Sequence, residues 1–423
     1  MSQQCDRSDA VAVLRRLRDA GHIAYFAGGC VRDELLGLTP KDYDIATDAP
    51  PQRVRELFTN TQAVGAAFGV ILVRHGRSVI EVATFRTDLE YRDGRHPDGV
   101  KFATAEEDAQ RRDFTINGIF LDPIENRVID YVGGQADIKA KVIRAIGNPD
   151  QQFAEDHLRL LRAVRFASRF EMQIEPATAI AIAAHAHQLP RISPERLADE
   201  VRRMLAGPRK NTAWKLLWQL NLLEQLFRFL SVEGDGHFAP DRSIFLNLSP
   251  TDSLPLAAAA LDYLWQRACR PDDVRQWLDK SAISQIGRAM RKGLKISNDE
   301  TDELHGTLGG AAILLGETEP TLANKKRFLT TPSAVATRSL LDALAAVGLF
   351  SERISKLRSE LDQLQATDFA PTPLITGDDL TAAGASPGPA FKRALTEAYD
   401  AQLEGRVRTR DEAMRIALQI ING

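Results

Sequence analysis

Segments with the character of β-strands are confined to the first third of this chain. They are short, rich in Val, Ile, Phe and Tyr, and most are bounded by Gly, Asp, Asn or Pro, as strands of a sheet usually are. These segments are IAYFA (23–27), DYDIAT (42–47), VILVRHG (70–76), SVIEVATF (78–85), TINGIFLD (115–122) and RVIDYV (127–132). HGRS, between the third and the fourth, is typical of a hairpin turn. With helical segments expected at 7–20, 31–37, 51–58 and 104–112, residues 20–145 predict an α+β unit with a largely antiparallel sheet.

From about residue 150 onward the strand signal nearly disappears and helical periodicity replaces it. Ser193-Pro194 has the residue types that favour a helix start, a capping residue followed by a proline in the first turn. Residues 232–250 and 365–377 are richer in Gly, Pro, Asp and Ser, and we expect linkers there. The 423 residues therefore predict a mixed unit followed by several helical ones.

The composition is that of a packed protein without a membrane segment. Hydrophobic residues make up 44% of the chain and charged residues 26%. No apolar run reaches the length of about 18 residues that a membrane span needs, and the polar N-terminus lacks the apolar core of a signal peptide. Cys5, Cys30 and Cys269 are too scattered for a disulfide framework or a zinc site, which favours a reducing cytoplasm. The net charge of −3 gives no sign of a nucleic-acid binder, so any such surface would have to be local.

A glycine turn opens the stretch AGGCVRDELLGLTPKDYDIAT (27–47). Gly28 and Gly29 would let backbone amides approach a ligand at a helix start, a place that favours an anion. Arg32, in the first turn of that helix, would add a positive charge. The pair of glycines alone also fits an ordinary tight turn.

Two carboxylates one residue apart close the same stretch. Asp42 and Asp44 flank a single residue of an expected strand, so their side chains would point to the same face. They repel each other unless a hard cation such as Mg²⁺ lies between them, and Glu81 on a neighbouring strand could supply a third carboxylate. A solvated strand face is the alternative. Together, the glycine turn and the acids favour two-metal phosphoryl or nucleotidyl transfer.

GGCVRDELLGLTPKDYDIAT resembles the first signature of class II CCA-adding enzymes and bacterial poly(A) polymerases, which are template-independent nucleotidyltransferases related to DNA polymerase β. The resemblance implies that Asp42 and Asp44 hold the catalytic Mg²⁺ ions and that Glu81 is a further acidic residue of the site. It also implies that the Gly28–Gly29 turn and Arg32 contact the incoming nucleotide. In this chemistry one metal activates a primer 3′-hydroxyl, and the other clamps the triphosphate and stabilises the leaving pyrophosphate.

Three adjacent charges precede an apolar run in RRDFTINGIF (111–120). This stretch resembles the second signature of the family, Arg-Arg-Asp-Phe-Thr-x-Asn, which contacts the ribose and phosphates of the nucleotide. Arg112 would donate to a phosphate or a ribose hydroxyl, Asp113 would accept from the 2′-hydroxyl, and Asn117 completes the signature. An acceptor for the 2′-hydroxyl selects ribonucleotides. On this interpretation the charges face a ligand rather than each other, and an exposed helix end is the alternative.

One helix is predicted across AEDHLRLLRAVRF (154–166). Its apolar residues Leu160, Leu161 and Val164, with Ala167 beyond, gather on one side. On the other side a ladder of arginines recurs every three residues, at Arg159, Arg162 and Arg165. An ordinary surface ion pair with Asp156 would explain one of these arginines but not the ladder.

Asp156 and Arg159 have the polarity needed to read a base. Cytosine and adenine each present an amine donor beside a ring-nitrogen acceptor, which an Asp acceptor and an Arg donor would match. Uracil and guanine present the reverse order and would leave buried charges unpaired. The stretch resembles the family signature Glu-Asp-x-x-Arg, present here as Glu155, Asp156 and Arg159, in which Asp and Arg act as a protein template. The resemblance also implies that Arg162 and Arg165 contact the nucleotide.

Further segments bear on the type of family member. FRTDLEYRDGRHPDGVKF (85–102) resembles the flexible loop with which full CCA-adding enzymes change from C to A, although it also fits a solvated connection. VGAAFGVILV (64–73) lacks the basic residues associated with poly(A) polymerases. RAMRKGLK (288–295) and ANKKRFL (323–329) are basic clusters that fit either an RNA backbone or a solvated helix face. ITGDDLTAAGASPGPAFKRAL (375–395) resembles the tail of shorter CCA-adding enzymes.

The resemblance covers residues 25–205 specifically and the remainder loosely. It implies a polymerase-β-like nucleotidyltransferase head at 1–147, a helical neck at 148–210 for base recognition, a helical body at 211–368 and a helical, tRNA-binding tail at 369–423. We expect a cytoplasmic enzyme that adds CCA to tRNA 3′ ends from CTP and ATP with Mg²⁺. Poly(A) polymerase or A-only addition is the runner-up within the class. A non-catalytic RNA-binding protein and a nucleotide-sugar transferase are the alternatives from other classes.

Overall fold

The structure of the chain is a computed structural model, which describes residues 6–63, 69–88, 100–230, 232, 236–249, 255–268 and 274–422. The chain forms two compact units, Met1–Leu226 and Phe227–Gly423. All strands of the described residues lie in the first unit, and the second unit is helical. The predicted α+β part followed by an all-helical remainder is therefore confirmed. The finer boundaries at residues 147, 210 and 368 stay a prediction.

A seven-stranded sheet lies at the centre of the first unit, counted over the described residues. The strands of this unit are β1 (Ala24–Ala27), β2 (Asp44–Thr47), β3 (Thr61–Ala63), β4 (Val70–His75), β5 (Ser78–Thr84), β6 (Arg86–Asp88), β7 (Val100–Phe102), β8 (Ile119–Asp122), β9 (Arg127–Asp130), β10 (Val142–Ile143) and β11 (Gln173–Ile174). The order in the large sheet is β3-β4-β5-β2-β1-β8-β9, and only β2 and β5 run parallel to each other. Two small ribbons, antiparallel β6–β7 and parallel β10–β11, complete the set.

The first helices of this unit alternate in sequence with the strands of the large sheet, and the later ones follow after its last strand. They are α1 (Arg7–Asp19), α2 (Gly29–Leu35), α3 (Pro51–Leu57), α4 (Ala105–Gln110), α5 (Gly134–Ala140), α6 (Pro149–Glu155), α7 (Arg159–Phe170), α8 (Pro176–His185), α9 (Pro194–Leu205), α10 (Lys210–Gln219) and α11 (Leu222–Phe227). Local chemistry starts α1, because the Asp6 side chain accepts a hydrogen bond from the Ser8 amide at 2.8 Å. In α4 a reciprocal capping box joins Thr104 and Glu107.

Each face of the sheet has its own apolar core. Ala10, Val13, Leu14 and Leu17 of α1 follow helical spacing and pack on one face with side chains of the strands and of α3. The opposite face is covered by a smaller cluster of Ala27, Ala46, Phe85, Ala109 and Phe120. Consecutive residues of β2 point to alternate faces, so this strand contributes to both cores.

The strand predictions hold with changes at their ends. The hairpin at HGRS is confirmed, because His75 pairs with Ser78 and Gly76 adopts a φ of 59°. TINGIFLD is not a strand throughout, because Thr115–Asn117 forms a 3-10 turn and β8 begins at Ile119. Polar side chains hold this turn: Thr115 donates to Asp137 at 2.7 Å, and Asn117 donates to Asp113 at 2.9 Å. The short strands β3, β6, β7, β10 and β11 were not predicted.

The single helix predicted across residues 154–166 is wrong. α6 ends at Glu155 and α7 begins at Arg159, so three residues form a turn between them. Asp156 is extended, with φ −135° and ψ 104°, and its carboxylate accepts a hydrogen bond from the Leu158 amide at 3.1 Å. A short polar side chain that bonds its own backbone competes with the helix in this way. The predicted apolar face of α7 is confirmed, because Leu160, Leu161, Val164 and Ala167 are fully buried.

Nine further helices make up the described part of the second unit beyond α11. They are α12 (Leu256–Arg267), α13 (Lys280–Leu294), α14 (Asn298–Leu315), α15 (Leu322–Leu329), α16 (Ala334–Ala346), α17 (Ser351–Gln365), α18 (Gly377–Ala382), α19 (Pro389–Leu403) and α20 (Arg410–Asn422). The last three share an apolar core of their own that includes Leu380, Ala398 and Ala417. Within the described ranges, no helix combines the length and the apolar character that crossing a membrane requires.

One loop prediction needs correction, and the predicted helix start at Ser193-Pro194 is confirmed. Residues 232–250 are not simply a linker, since Ile244 and Phe245 are fully buried and the Ile244 amide donates to the buried Asp262 carboxylate at 2.8 Å. Ser193 does occupy the N-cap position of α9, followed by Pro194, but its side chain makes no capping hydrogen bond. The segment 366–376 is free of helix and strand, as expected.

Candidate active site

Asp42 and Asp44 lie where β2 begins, on the side of the strand opposite its buried tyrosine and isoleucine. Tyr43 and Ile45 both pack into the core with α1, and neighbouring residues of extended chain point to opposite faces. Asp44 is the first residue of β2, and Asp42 lies two residues before it rather than in the strand. Glu81 of β5 pairs with Asp44 in the parallel register. The structure thus brings the three predicted carboxylates together at one edge of one face of the large sheet, and this group is called the acidic edge below.

The electrostatics of these acids are unfavourable for their charged forms. Burial raises the pKa of Asp44 to about 7, the charges of Glu81 and Asp42 reinforce the effect, and Arg112 opposes it. Partial burial also raises the pKa of Glu81, with Arg86 and Arg112 acting against the shift and Asp42 adding to it. Carboxylates that repel one another in this way gain most from a cation.

The donor set fits a divalent cation only in part. Carboxylate oxygens are the ligands that Mg²⁺ prefers, and it commonly takes one or two of them and fills its remaining positions with water and substrate phosphates. In the described parts of the chain, no group of three or more Asp, Glu, His or Cys side chains could hold a metal ion. Asp42 and Asp44 therefore fit as two ligands of a cation that draws its other ligands from outside the protein.

The glycine turn before α2 makes room for an arginine from another segment. Gly28 has a φ of 70°, which favours glycine, and a Cβ there would lie 3.0 Å from Nη1 of Arg112. Gly29 is the first residue of α2. The turn therefore brings backbone and the Arg112 guanidinium together beside the acidic edge.

Arg32 is held by internal contacts, and its predicted contact with the nucleotide stays a prediction. Its guanidinium donates to Asp33 at 2.6 and 2.8 Å and to the Asn117 side chain at 2.7 Å. It also lies over the rings of Phe166 and Phe170, with distances of 5.2 and 4.6 Å to the ring centres. Burial lowers its pKa. In this structure Arg32 joins α2 to α7, and Asn117 is one of its partners.

The three charges of RRDFTINGIF each form an ion pair with a residue outside this stretch, and their contact with a nucleotide stays a prediction. Arg111 and Arg112 both pair with the buried carboxylate of Asp108, at 2.7 and 2.9 Å. Asp113 pairs with Arg162 of α7 at 2.6 Å. The two arginines therefore share one partner, Asp108, and Asp113 has a separate partner on α7.

Asp113 is held in its charged form. Burial alone would raise its pKa, but the charge of Arg162 and hydrogen bonds from Asn117 and Arg162 outweigh burial and lower the pKa to about 2. Nearby, Nη2 of Arg159 donates to the Arg111 carbonyl at 3.2 Å. Residues 111–113 therefore connect the two halves of the site, with Arg112 beside the glycine turn and with Arg111 and Asp113 against α7.

The two predicted base-reading residues flank the turn between α6 and α7, and each has its own ion-pair partner. Asp156 accepts from Arg196 of α9 at 3.1 and 3.2 Å. Arg159 pairs with Glu155 at 2.9 Å and also contacts Gln152. The ordinary surface ion pair between Asp156 and Arg159, considered as an alternative from their spacing, does not form, because the helix is interrupted there.

Arg165 forms an ion pair between α7 and α9. Its Nε lies 2.7 Å from Oε2 of Glu200, and both side chains are largely buried. Burial lowers the pKa of Arg165 to about 10, an effect that Glu200 opposes and Arg162 and Arg203 strengthen.

Sequence reasoning missed two acidic partners of the site, Asp108 and Glu200. It expected Arg196 to be a structural residue of a helix that supports the base-reading one, but did not pair it with Asp156. Asp108 precedes the arginine pair by three and four residues, a spacing that could have identified it. No local signal relates Arg196 to Asp156, which lies 40 residues earlier. The loop predicted within 85–102 lies largely at 89–99, outside the described residues, as does part of the stretch 64–73.

Comparisons with known proteins place this site in a family. A family model described as "Poly A polymerase head domain" matches residues 24–144, and one described as "Probable RNA and SrmB- binding site of polymerase A" matches residues 171–233. A CCA-adding enzyme from Lacticaseibacillus paracasei is 34% identical over 406 residues, which is 96% of this chain and 92% of that protein. The chain belongs to the CCA-adding enzyme and poly(A) polymerase family.

Two other members of the family are similar to this chain over different shares of its length. Poly(A) polymerase I of Salmonella typhi is 42% identical over 260 residues, or 58% of this chain. The chain spans only about half the length of that relative, 56%. A crystal structure of the Bacillus stearothermophilus CCA-adding enzyme in complex with CTP has a TM-score of 0.66 and 28% identity, and covers 97% of both chains.

Proposed function

We propose that this protein adds C and A nucleotides to the 3′ end of tRNA from CTP and ATP and releases pyrophosphate. The observation that carries the proposal is similarity to a CCA-adding enzyme along 96% of the chain. The match to the poly(A) polymerase covers 58%. The acidic edge, the glycine turn and the Asp156–Arg159 turn all lie in the first unit, as a nucleotidyl transfer site with a base-reading element requires.

Asp42 and Asp44 would hold a divalent cation, which we propose is Mg²⁺. When bound, this cation lowers the pKa of the primer hydroxyl and neutralises charge on the phosphates. Arg112, beside the Gly28 turn, adds a fixed positive charge for the triphosphate. Asp113 stays ionised at neutral pH and can accept a hydrogen bond from a ribose hydroxyl.

Base choice would rest on Asp156 and Arg159. Asp156 is a carboxylate acceptor anchored by Arg196, and Arg159 is a donor anchored by Glu155. Anchored groups discriminate well, because a base of the wrong polarity cannot push them aside without breaking an ion pair. We further propose the head, neck, body and tail boundaries given above, and action in the cytoplasm, in keeping with the buried, unbridged Cys30.

The experiment that tests the function uses three tRNA substrates, ending before CCA, after C, and after CC. Each is incubated with CTP, ATP or both, and the 3′ ends are sequenced. We expect CCA to be completed on all three and synthesis to stop there. Long A tails on the same RNAs would establish the runner-up, poly(A) polymerase, which the 42% identity to the Salmonella protein favours.

Variants separate the transfer chemistry from general stability. Asp42→Ala should abolish every addition, because one cation ligand is lost. Asp48→Ala is the matched control, since Asp48 is an exposed acid just beyond the other end of β2 and pairs with His22. Full activity of the Asp42 variant would contradict the proposed metal site. If both variants were inactive, the loss of activity would be due to general destabilisation of the fold.

A further inference from the structure

Asp108 is a buried acid to which the proposed chemistry assigns no role. It lies near the end of α4 and is only 1% exposed. One of its oxygens pairs with Arg111 at 2.7 Å, and the other pairs with Arg112 at 2.9 Å. The Arg86 amide also donates to it, at 3.3 Å. A single carboxylate thus compensates two neighbouring arginines.

Several contacts set the orientation of the Arg112 guanidinium. Its guanidinium lies 5.2 Å from the ring centre of Phe120, and Nη1 makes a long hydrogen bond of 3.4 Å to the Asn117 carbonyl. Nη1 also faces Gly28 at a distance that leaves no room for a side chain there. Among the described residues, Asp108 is the only acid that forms an ion pair with Arg112.

We propose that Asp108 is a positioning residue that aims the Arg112 guanidinium at the Gly28 turn, where it meets the phosphates of the incoming nucleotide. The inference rests on the proposed function, since it assumes that a nucleoside triphosphate binds at this turn. Without the carboxylate, Arg112 is free to swing toward the carboxylates of Asp44 and Glu81. A rigid guanidinium binds phosphate better than a mobile one, because less side-chain entropy is lost on binding.

The chain offers a matched control. Asp122 is another fully buried carboxylate of the first unit; it pairs with Arg18 at 2.6 Å and accepts hydrogen bonds from the Ile124 and Glu125 amides. Neither Asp122 nor Arg18 contacts the glycine turn or the RRD segment in the described structure. Asp122→Asn therefore removes a buried charge of the same kind without disturbing Arg112.

The test measures equilibrium binding of a non-hydrolysable CTP analogue to the full chain by calorimetry, with Mg²⁺ present. We expect Asp108→Asn to weaken binding about tenfold or more and Asp122→Asn to change it less than about twofold, for the loss of one charge-assisted contact. In an Arg112→Gln background, Asp108→Asn should have no further effect, because its action passes through Arg112. In tRNA assays the KM for CTP should rise while the KM for tRNA stays unchanged.

Each outcome separates this inference from the proposed function. Unchanged affinity of Asp108→Asn, or a further tenfold loss in the Arg112→Gln background, overturns the positioning role alone. Wild-type protein that binds no nucleoside triphosphate overturns both. If Asp108→Asn fails to fold, Asp108→Glu takes its place: it keeps the charge but moves it by one methylene, and the positioning role requires it to lose affinity as well.

Discussion

Asp113 and Asp44 have opposite electrostatic surroundings although both belong to the same site. Arg162 and Asn117 overcompensate the burial of Asp113, whereas Asp44 is affected by two other acids and by one arginine, Arg112. The charged form of Asp113 is thus stabilised by its neighbours, and the charged form of Asp44 is not. Sites built for function commonly carry such locally unfavourable groups.

The pH dependence of stability should reveal the Asp113 pair. Its pKa is about 2 in the folded protein against an ordinary value of 3.8, so the carboxylate adds stability above pH 4 that is lost as the pH falls toward 2. We expect this contribution to be about 2 kcal/mol in the free energy of unfolding. Urea unfolding at pH 7 and at pH 3 measures it: Asp113→Asn should be less stable at pH 7, and the difference should shrink at pH 3. Asp19→Asn, an exposed acid, is the control, and a difference that grows at low pH would contradict the assignment.

Among the elements, the turn between α6 and α7 is the feature on which the proposed base choice depends. Asp156 has two tasks there: it accepts the Leu158 amide, which holds the turn, and it binds Arg196, which ties the turn to α9. A helix that ran unbroken would place the Asp156 carboxylate elsewhere. The interruption is therefore part of the site.

Two substitutions of Asp156 should separate these tasks. Asp156→Asn keeps an oxygen that can accept from the Leu158 amide, so we expect near-normal stability but relaxed base choice, since the amide can also donate. Asp156→Ala loses the turn acceptor as well and should cost about 1 kcal/mol more in unfolding free energy. Incorporation of UTP and GTP into tRNA, alongside thermal unfolding, measures both effects. If the Asn variant kept full selectivity for C and A, Asp156 would not be the base reader.

The two basic clusters of the second unit differ in their partners. In α15, Lys325 pairs with Glu360, Arg327 pairs with Asp400, and Lys326 donates to the Leu403 carbonyl. In α13, Arg288, Arg291 and Lys292 are exposed, and none of them forms an ion pair with another described residue. α13 is therefore the better candidate for contact with an RNA backbone.

Salt dependence distinguishes the α13 cations from ordinary surface charge. We expect replacement of Arg288, Arg291 and Lys292 by Gln to weaken tRNA binding and to reduce the slope of log K against log salt by about two, close to the value for three lost phosphate contacts. The control replaces Arg338, Lys356 and Arg358, which change the net charge equally but already pair with Asp362, Glu319 and Asp342. Equal slopes for the two triple variants would show that α13 has no special role.

At the scale of the whole molecule, the predicted nucleotide contacts all belong to the first unit and the unpaired basic helix to the second. Hydrogen exchange should therefore respond to a CTP analogue only in the first unit, with the strongest protection in β2, α4 and α7. A ligand at 100 times its Kd should stabilise that unit by about 2.7 kcal/mol. Protection that appeared in residues 227–423 on addition of nucleotide alone would contradict this division.

Four features could be predicted from the amino-acid sequence alone: the α+β part, the helical remainder, the acidic edge and the apolar face of α7. These features depend on residue type and on spacings of two to four residues, which local geometry translates directly into a face of a strand or a helix. The family signatures are likewise continuous stretches. For that reason they could be recognised without coordinates.

The strand and ion-pair partners of those residues become visible only in the folded protein. Glu81 lies opposite Asp44 in a parallel strand pair. Asp113 forms an ion pair with Arg162, and Asp156 forms one with Arg196. The predicted helix is also broken at residues 156–158. These partners lie 37 to 49 residues apart in sequence and meet through the packing of whole elements. No local spacing in the sequence indicates which distant residue will be the partner.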